Sequence, residues 1–363
     1  MKAVVVPAVD SIEVQEVTLD APKAGEVKVK MAAAGVCHSD LSIVNGTIPA
    51  TLPMVIGHEG AGVIEAVGEG VTNVAPGDHV ILSFVPNCRE CFFCLRGEAH
   101  ICALSRKTGL GMQLDGTSRV HRNGTDLTAM SALGCMAPEI IAPSISVVPI
   151  SKDIPLTVGA LVGCGVTTGV GAVLNTAKVS AGSSVAVFGC GGVGLSAIQG
   201  ARVAGATPII AVDLDDRKLE MAKSFGATHT LNASEDVTKP IRKLTNGVGA
   251  DYTFEAIGIP SVVEQAYAAT RNGGTTVVVG IGKYTENVSF NALTLPLFSK
   301  TICGCMYGSA TPSVDFPRML SLYQAGKLDL EGMITKTYSI DEAQQAFDDL
   351  KSGVNARGVI VFD

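Results

Sequence analysis

The chain has 363 residues, which is long for one hydrophobic core, so two domains are expected. Hydrophobic residues make up 47% and charged residues 17%, a composition that supplies ample apolar surface for burial and excludes an extended disordered chain. The formal net charge of -7, without a Lys/Arg run, argues against nucleic acids and anionic membranes as partners.

The N-terminal sequence and the cysteines indicate the cellular compartment. The sequence MKAVVVPAVDSIEVQE has too short an apolar run for a signal peptide. The apolar stretches near residues 158–174 and 185–205 contain glycines and polar breaks, so they are expected to be buried strand and helix rather than membrane spans. Ten cysteines without a secretion signal point to metal ligands and buried thiols before disulfides. We therefore expect a cytoplasmic protein.

The first half of the chain is predicted to be rich in β-strands. Apolar residues alternate in KAVVV, SIEVQEV and EVKVKMAAAG, and glycines bound two further apolar runs at residues 60–71 and 77–84. Little helix is expected here apart from a short one after Ser39. This pattern is typical of an antiparallel β domain.

Two short motifs in this region offer metal ligands. Cys37 lies in GVCHSD and His58 lies in GHEGAG. Cysteine and histidine are the usual zinc ligands, and polar groups beside them usually orient the ligands or tune the metal. Ser39, Asp40 and Glu59 are polar groups of this kind. Taken alone, a cysteine or a histidine is more often a buried core residue than a metal ligand. Two ligands also do not complete a zinc site, so a third is needed from elsewhere in the chain.

A second cluster of cysteines follows in NCRECFFCLRGEAHIC, with the spacing C-x2-C-x2-C-x7-C. Its members are Cys88, Cys91, Cys94 and Cys102. Four thiolates this close can surround one zinc with no open position, which is typical of a structural site. An iron–sulfur cluster would favour a shorter final gap followed by proline, whereas Ala103 follows the last cysteine. Regular spacing also argues against chance clustering of buried thiols.

Residues 103–145 are rich in Gly, Ser and Thr. The segment GMQLDGTSRVHRNGTD is predicted to be a long loop with two turn signals. Arg106, Arg119 and His121 lie in it and are expected to be solvated loop charges. The chain becomes apolar again after residue 145, and ALVGCGVTTGVGAVL then presents Cys164 between two glycines.

Strands and helices alternate beyond residue 181. SSVAVFG, PIIAVD, ADYTFEAIG and TTVVVGIG read as buried strands, separated by helical segments such as DDRKLEMAKSFG. This βαβ alternation predicts a doubly wound parallel sheet. After about residue 307 two amphipathic helices and a closing strand follow. We therefore predict a catalytic domain of residues 1–165 and 307–363, with a nucleotide-binding domain of residues 166–306 inserted into it.

The inserted domain begins with a glycine-rich motif between a predicted strand and a predicted helix. The motif G-x-G-x-x-G is formed by Gly189, Gly191 and Gly194, with Gly192 adding backbone freedom. Glycines there let the backbone approach a pyrophosphate at a helix N-terminus. Asp213 ends the next strand, where a carboxylate binds the ribose hydroxyls and repels a 2′-phosphate, so NAD is favoured over NADP. Lys218 could reach the same ribose or could be a solvated helix charge.

Five motifs in this order resemble the zinc-dependent medium-chain alcohol dehydrogenases: GVCHSD, GHEGAGVIEAVGEGV, the four-cysteine segment, GCGVTTG and AVFGCGGVGLS. The resemblance covers essentially the whole chain. It implies an α/β protein with a GroES-like β-rich domain, a Rossmann domain, NAD, and a catalytic and a structural zinc. Cys37, His58 and Cys164 would hold the catalytic zinc. Glu59 would be an occasional ligand, and Asp40 would support His58.

The resemblance also assigns residues around this centre. Ser39 would contact the alcohol, and His38 would contact the cofactor phosphates. The other matched positions are Thr168 and Val193 near the nicotinamide, Arg357 near the pyrophosphate, and Ile48, Phe84 and Met136 in the substrate pocket. Four cysteines match no ligand position and are expected to be core or loop thiols: Cys135, Cys190, Cys303 and Cys305.

The expected activity is the reversible, NAD-dependent oxidation of primary alcohols, among them aromatic or long-chain ones, to aldehydes. Ser42 departs from the family pattern, because many members have a histidine there that ends a proton relay. Arg106 resembles a basic position of glutathione-dependent formaldehyde dehydrogenases, but Ile48 stands where those enzymes have an acidic group. That thiol-dependent activity is one alternative, and a non-catalytic zinc- and NAD-binding redox sensor is another. The long loop at residues 106–125 resembles dimeric members, so a homodimer is expected.

Overall fold

The computed structural model of the chain describes residues 1–362. Within them the chain forms two compact units. The first unit comprises Met1–Cys164, Thr311–Ser321 and the chain from Leu330 onward, and the second comprises Gly165–Ala310 and Leu322–Asp329.

The unit boundaries differ from the predicted ones in the C-terminal third. Residues 307–310 and 322–329 were expected in the catalytic domain but belong to the second unit. Hydrogen bonds account for the second of these segments, because the N–H of Asp329 donates to Oε1 of Gln199 over 2.7 Å. The carbonyl oxygen of Lys327 likewise accepts from the Arg202 guanidinium over 2.9 Å.

The strands, in chain order, are β1 Lys2–Val6, β2 Glu13–Glu16, β3 Thr18–Leu19, β4 Glu26–Val36, β5 Met54–Val55, β6 Gly60–Val67, β7 His79–Leu82, β8 Val120–Arg122, β9 Thr125–Ala129, β10 Glu139–Pro143, β11 Val147–Ile150, β12 Val185–Phe188, β13 Ile209–Asp213, β14 His229–Asn232, β15 Ala250–Glu255, β16 Thr270–Val278, β17 Thr301–Gly304, β18 Ile334–Tyr338 and β19 Arg357–Val361. The three strands expected before Cys37 are present as β1, β2 and β4.

The α-helices are α1 His38–Val44, α2 Phe92–Leu95, α3 Ser105–Thr108, α4 Leu156–Leu161, α5 Thr167–Gly171, α6 Gly192–Val203, α7 Asp216–Ser224, α8 Thr238–Leu244, α9 Pro260–Ala269, α10 Thr294–Phe298, α11 Pro312–Gln324 and α12 Ala343–Ser352. Short 3₁₀ turns occur at Ala99–Ile101, Met130–Ala132, Ser144–Ser146, Tyr307–Ser309 and Ile340–Glu342. Two π-helical turns, Val162–Val166 and Ala172–Thr176, flank α5.

The first unit contains two sheets. One has the strand order β2-β1-β5-β9-β8-β3. The other has the order β11-β7-β6-β4-β19-β18, with β10 also paired to β4. β4 is eleven residues long and pairs antiparallel with β6, β10 and β19, so most of its residues are buried. This strand leads directly into Cys37 and thereby anchors that residue in the core.

The second unit is built on one parallel sheet of order β14-β13-β12-β15-β16-β17. β12 and β13 are buried through nearly all of their length, as expected of strands covered on both faces. The strand order reverses between β12 and β15, and nucleotides bind at such a switch point in open α/β sheets. The predicted doubly wound sheet is confirmed.

The segment predicted to be a long loop contains more structure than expected. β8 and β9 form an antiparallel hairpin, and Asn123 and Gly124 supply its turn with φ values of 51° and 77°. Arg119 is not a solvated charge, because only 3% of it is exposed. Its guanidinium donates to Glu26 over 2.6 and 2.9 Å and to Asp115 over 2.7 Å. His121 is half-buried and contacts two aspartates.

The two apolar stretches are mostly buried: residues 158–174 are helical, and residues 185–205 contain β12 and α6, so strand and helix are both present as expected. Among the described residues, Leu156–Thr176 is long and apolar enough to cross a membrane by length and composition, and most of it is buried. The core helix of a globular protein has the same properties.

Candidate active site

Three predicted ligands converge in the first unit. Cys37 follows β4 at the N-cap of α1, His58 precedes β6, and Cys164 lies in the π-helical turn Val162–Val166. All three side chains are buried, and their ligand atoms lie within 4.8 Å of one another. Single π-turns inside helices often occur at functional sites, and here one carries Cys164, the second thiol of the cluster.

Asp40 hydrogen-bonds one ring nitrogen of His58, and the other ring nitrogen has no partner among the described residues. Nδ1 of His58 lies 3.0 Å from Oδ1 of Asp40, whose Oδ2 accepts the N–H of Cys37 over 3.0 Å. Nε2 of His58 is buried and has no hydrogen-bond partner among the described residues. Two thiols facing this orphaned nitrogen fit a zinc ion, which three protein ligands would hold with one coordination position open.

Electrostatics favour the metal-binding form of Cys37 but not that of His58 or Cys164. The hydrogen bond from the Cys164 thiol, aided by His58, holds the pKa of the Cys37 thiol well below its usual range. The same contact, aided by burial, raises the pKa of Cys164. Burial alone would lower the pKa of His58, but the charge and hydrogen bond of Asp40, together with the contact with Cys37, outweigh burial and raise that pKa. The lowered pKa favours the thiolate of Cys37, the form that metals bind, whereas His58 and Cys164 would each lose a proton on binding a metal.

Glu59 and Arg357 form a buried ion pair beside this cluster. Glu59 is 0% exposed and Arg357 is 5% exposed, and the guanidinium donates to Oε2 of the carboxylate. Burial alone would lower the pKa of Arg357, but the charge of Glu59 raises it. The ion pair with Arg357 explains how the Glu59 carboxylate can be buried without a metal ion. The role of Glu59 as an occasional metal ligand therefore stays a prediction. The same holds for Arg357 at the cofactor pyrophosphate.

The predicted substrate residues have different surroundings. The Phe84 ring stands edge-on to His58 with centroids 5.4 Å apart, and Ser39 Oγ lies 3.9 Å from Cys37 Sγ. Ile48 is half-buried against the hydrophobic core. Met136 is fully buried, and its backbone pairs with that of Ile56. Met136 is therefore a core residue here, and its place in a substrate pocket stays a prediction.

The four-cysteine segment forms a second compact ligand set. The four sulfur atoms lie within 4.8 Å of one another, and the Sγ of Cys102 is 3.5 Å from that of Cys88. Backbone N–H groups point at the sulfurs, and the donation from Ala103 lowers the pKa of Cys91 to about 6. Tetrahedral zinc fits this arrangement with no open position, as expected of a structural site.

The glycine motif in the second unit fits a dinucleotide. Gly191 is the N-cap of α6, and no side chain caps the free N–H groups of this twelve-residue helix. A Cβ on Gly194 would lie 1.7 Å from the carbonyl oxygen of Gly189, so only glycine fits there. Asp213 ties the loop to β13, because its Oδ2 accepts the N–H of Cys190 over 2.7 Å. Each carboxylate oxygen has a second lone pair that remains available for a ribose.

The other predicted cofactor residues are distributed over both units. Thr168 lies in α5, which packs so closely on α6 that a Cβ on Gly169 would lie 2.2 Å from the carbonyl oxygen of Val193. Thr168 and Val193 are thus brought to the same helix crossing. Lys218 is half-buried on α7. His38 is exposed at the start of α1 in the first unit.

Sequence reasoning missed two features of the site. The Glu59–Arg357 pair joins residues 298 positions apart, and no local pattern indicates it. The π-helical turn around Cys164 was also missed. The only sequence signal for it was the pair of glycines in VGCGV. One of them, Gly163, packs so closely that an added Cβ would lie 2.9 Å from the carbonyl oxygen of Leu82.

Comparisons with known proteins agree with this geometry. The sequence profile of the alcohol dehydrogenase GroES-like domain matches residues 23–152, and that of the zinc-binding dehydrogenase matches residues 192–325. An NDMA-dependent alcohol dehydrogenase of Amycolatopsis methanolica is 42% identical over 96% of this chain and 95% of its own length. An S-(hydroxymethyl)glutathione dehydrogenase of Paracoccus denitrificans is 40% identical over 99% of both chains.

Solved structures give the same result. A benzyl alcohol dehydrogenase from Acinetobacter calcoaceticus has a TM-score of 0.94 and 34% identity, covering 100% of this chain and 99% of its own. An alcohol dehydrogenase zinc-binding domain protein from Burkholderia ambifaria has a TM-score of 0.95 and 36% identity, covering 100% and 98%. With the two cysteine-containing ligand sets and the glycine loop, these matches show that the chain belongs to the zinc-dependent medium-chain alcohol dehydrogenase family.

Proposed function

We propose that this protein is an NAD-dependent alcohol dehydrogenase that reversibly oxidises primary alcohols to aldehydes, with a catalytic and a structural zinc in each subunit. The observation that carries the proposal is the convergence of Cys37 and Cys164 on the unpartnered Nε2 of His58. Zinc held there would act as a Lewis acid that lowers the pKa of an alcohol. Cys88, Cys91, Cys94 and Cys102 would hold the structural zinc.

The residues of the chain supply positioning and proton handling. Asp40 fixes the His58 ring through Nδ1 and so directs Nε2 toward the metal position. Ser39, close to Cys37, is the hydroxyl that can accept the alcohol proton and pass it on. Ser42 follows on the same helix, but a serine hydroxyl is a poor base, so water is the expected final acceptor. The Phe84 ring beside His58 gives the substrate site an apolar wall.

The cofactor preference rests on Asp213. Its half-buried carboxylate at the end of β13 would accept the ribose hydroxyls and repel a 2′-phosphate. The benzyl alcohol dehydrogenase similarity supports aromatic primary alcohols as substrates. The test is a panel of aliphatic, allylic and benzylic alcohols with NAD or NADP, following reduced cofactor, before and after zinc chelation. Full activity after complete removal of zinc would contradict the proposal.

Two variants of this function have support among the relatives. One relative depends on NDMA by name, so the cofactor of this protein could be retained between turnovers and reoxidised by an added acceptor. Activity that requires NDMA and no added NAD would establish this variant. Another relative is an S-(hydroxymethyl)glutathione dehydrogenase. Formaldehyde oxidation that requires glutathione would favour that activity. Of the two positions that resemble such enzymes, the basic one is present as Arg106, but Ile48 stands where they have an acidic residue.

We also propose a homodimer formed through the second unit. β17 is an edge strand of the parallel sheet. Several apolar side chains in the segment that precedes β17 are more than one-third exposed: Ile281, Tyr284, Val288, Leu293 and Leu297. Exposed apolar groups beside an open strand edge favour association with a second copy. Sedimentation at micromolar concentration tests this, and a monomer would contradict it.

A further inference from the structure

Glu255 occupies an unusual position in the parallel sheet of the second unit. It is the last residue of β15 and is aligned with Phe188, the last residue of β12. The sheet order reverses between these two strands, and the glycine loop begins directly after Phe188. A side chain at the end of β15 therefore stands at the switch point where nucleotides bind.

The carboxyl group of Glu255 is buried without a cation. The residue is 0% exposed, and no ion pair to it occurs within residues 1–362. Its Oε1 accepts the N–H groups of Ile257 over 2.9 Å and Gly258 over 2.7 Å. Oε2 is buried and lacks a hydrogen-bond partner in the described chain. Burial raises the pKa of the carboxyl group despite these donors. Burial of an acidic group costs free energy unless the group is hydrogen-bonded, and the hydrogen bonds to the turn offset part of this cost.

The turn that Glu255 holds packs directly on the glycine loop of residues 189–194, which we call the phosphate loop. A Cβ on Gly189 would lie 2.5 Å from Cγ1 of Ile257. On its other side, a Cβ on Gly280 would lie 2.1 Å from the backbone nitrogen of Gly258. The turn of residues 256–258 is thus enclosed between the first glycine of the loop and the chain after β16. A displacement of this turn would move Ile257 into or away from the loop.

We infer that Glu255 is a positioning residue of the cofactor site, which accepts the N–H groups of Ile257 and Gly258 and so holds the turn 256–258 against the phosphate loop. The inference rests on the proposed NAD dependence. The carboxyl group acts through the turn and not by contact with the reacting atoms. An uncharged acceptor of the same length serves equally well in this role.

The experiment compares three substitutions in the full chain. Glu255→Gln keeps the Oε1 acceptor, Glu255→Leu removes it, and Glu255→Asp shortens the side chain so that it cannot reach both N–H groups. Thr253→Val is the matched control. It lies on the same strand, is 0% exposed, and loses a buried hydroxyl that lies 2.8 Å from Thr270 Oγ1. The readouts are the dissociation constant of NADH, the KM values of cofactor and alcohol, zinc content, and hydrogen exchange of the peptide containing residues 256–258.

We expect Glu255→Gln to bind NADH within about twofold of wild type and Glu255→Leu to bind it about tenfold or more weakly. Glu255→Asp should fall between them. In the two weaker variants the KM of the cofactor should rise more than that of the alcohol, zinc content should be unchanged, and exchange at residues 256–258 should increase. Thr253→Val should change thermal stability without changing NADH affinity.

Two results would overturn the inference. In the first, the wild-type protein binds NADH, and Glu255→Leu has the same NADH affinity and the same hydrogen exchange at residues 256–258. This result would refute the positioning role and leave the proposed function intact. The other is a wild-type protein that binds neither NADH nor NADPH, which would refute both. If Glu255→Leu does not fold, Glu255→Gln and Glu255→Asp decide, and equal affinities in these two variants would also refute it.

Discussion

The imidazole of His58 and the carboxylate of Asp40 are hydrogen-bonded over 3.0 Å, in a site where Asp40 is 0% exposed and His58 is 2% exposed. The same carboxylate accepts the N–H of Cys37, so one side chain orients two of the predicted metal ligands. A buried carboxylate with these two contacts fixes the histidine tautomer and leaves Nε2 for the metal. The geometry of the centre thus depends on a residue that is not itself a ligand.

Asp40→Asn should lower kcat/KM or zinc affinity by about 10- to 100-fold, since the supporting charge is lost while the ligands remain. The measurement is alcohol oxidation at saturating NAD together with zinc retention against a chelator series. Asp78→Asn is a control in the same unit, because that half-buried carboxylate also accepts a backbone N–H, from Ala75 over 2.8 Å. Unchanged zinc affinity and activity in Asp40→Asn would contradict the assigned role.

The four-cysteine site is expected to serve stability rather than chemistry. Cys102→Ser should remove one zinc and lower Tm by about 10 °C or more, because structural zinc contributes several kcal/mol to folding. Molecules that remain folded should keep most of their kcat. Cys303→Ser changes a half-buried thiol outside both ligand sets and should retain both zinc ions. Wild-type zinc content and Tm in Cys102→Ser would refute a structural site.

Asp213→Asn should relax cofactor selection. The amide oxygen can still accept the N–H of Cys190, whereas the repulsion of a 2′-phosphate is lost. We expect the ratio of kcat/KM for NAD over NADP to fall at least about tenfold, or about 1.4 kcal/mol. Asp215→Asn is the neighbouring control, since that carboxylate pairs with Arg217 and caps α7. An unaltered ratio in Asp213→Asn would show that another residue sets the preference.

Asp349 predicts a specific acid dependence of stability. The hydrogen bond from Lys336, followed by that from Tyr338, lowers the pKa of Asp349 to about 2. The unfolded chain binds this proton at about pH 3.9, so the stabilisation is complete above that pH and is lost as pH falls toward 2. The stability difference between wild type and Asp349→Asn, measured by urea unfolding, should therefore shrink between about pH 4 and pH 2. A difference that stays constant over this range would contradict the prediction.

Local patterns predicted the parts of the fold that local sequence determines. The strand alternation before Cys37 and the start of a helix at the glycine motif both depend on neighbouring residues, and both elements are confirmed. The hairpin at Asn123–Gly124 was also signalled by its turn sequence but was interpreted as loop.

Contacts between distant residues could not be predicted in this way. Arg119 is polar and lies in a glycine-rich segment, which favoured exposure, but Glu26, 93 positions away, pairs with it in the interior. The burial of Met136 likewise follows from the packing of Gly57 against it, and not from its own neighbours in sequence. Cys164 was predicted to be the third ligand only through resemblance, because a single cysteine between glycines has no ligand spacing.

The most direct test of the account is to measure zinc content and alcohol-dependent NADH formation together in wild type and Cys164→Ala. Wild type should contain two zinc ions per chain, matching the two ligand sets, and should reduce NAD with a primary alcohol. Cys164→Ala should retain about one zinc, remain folded, and lose activity by at least about a thousandfold. Full zinc content with wild-type NADH formation in Cys164→Ala would contradict the catalytic zinc centre proposed here.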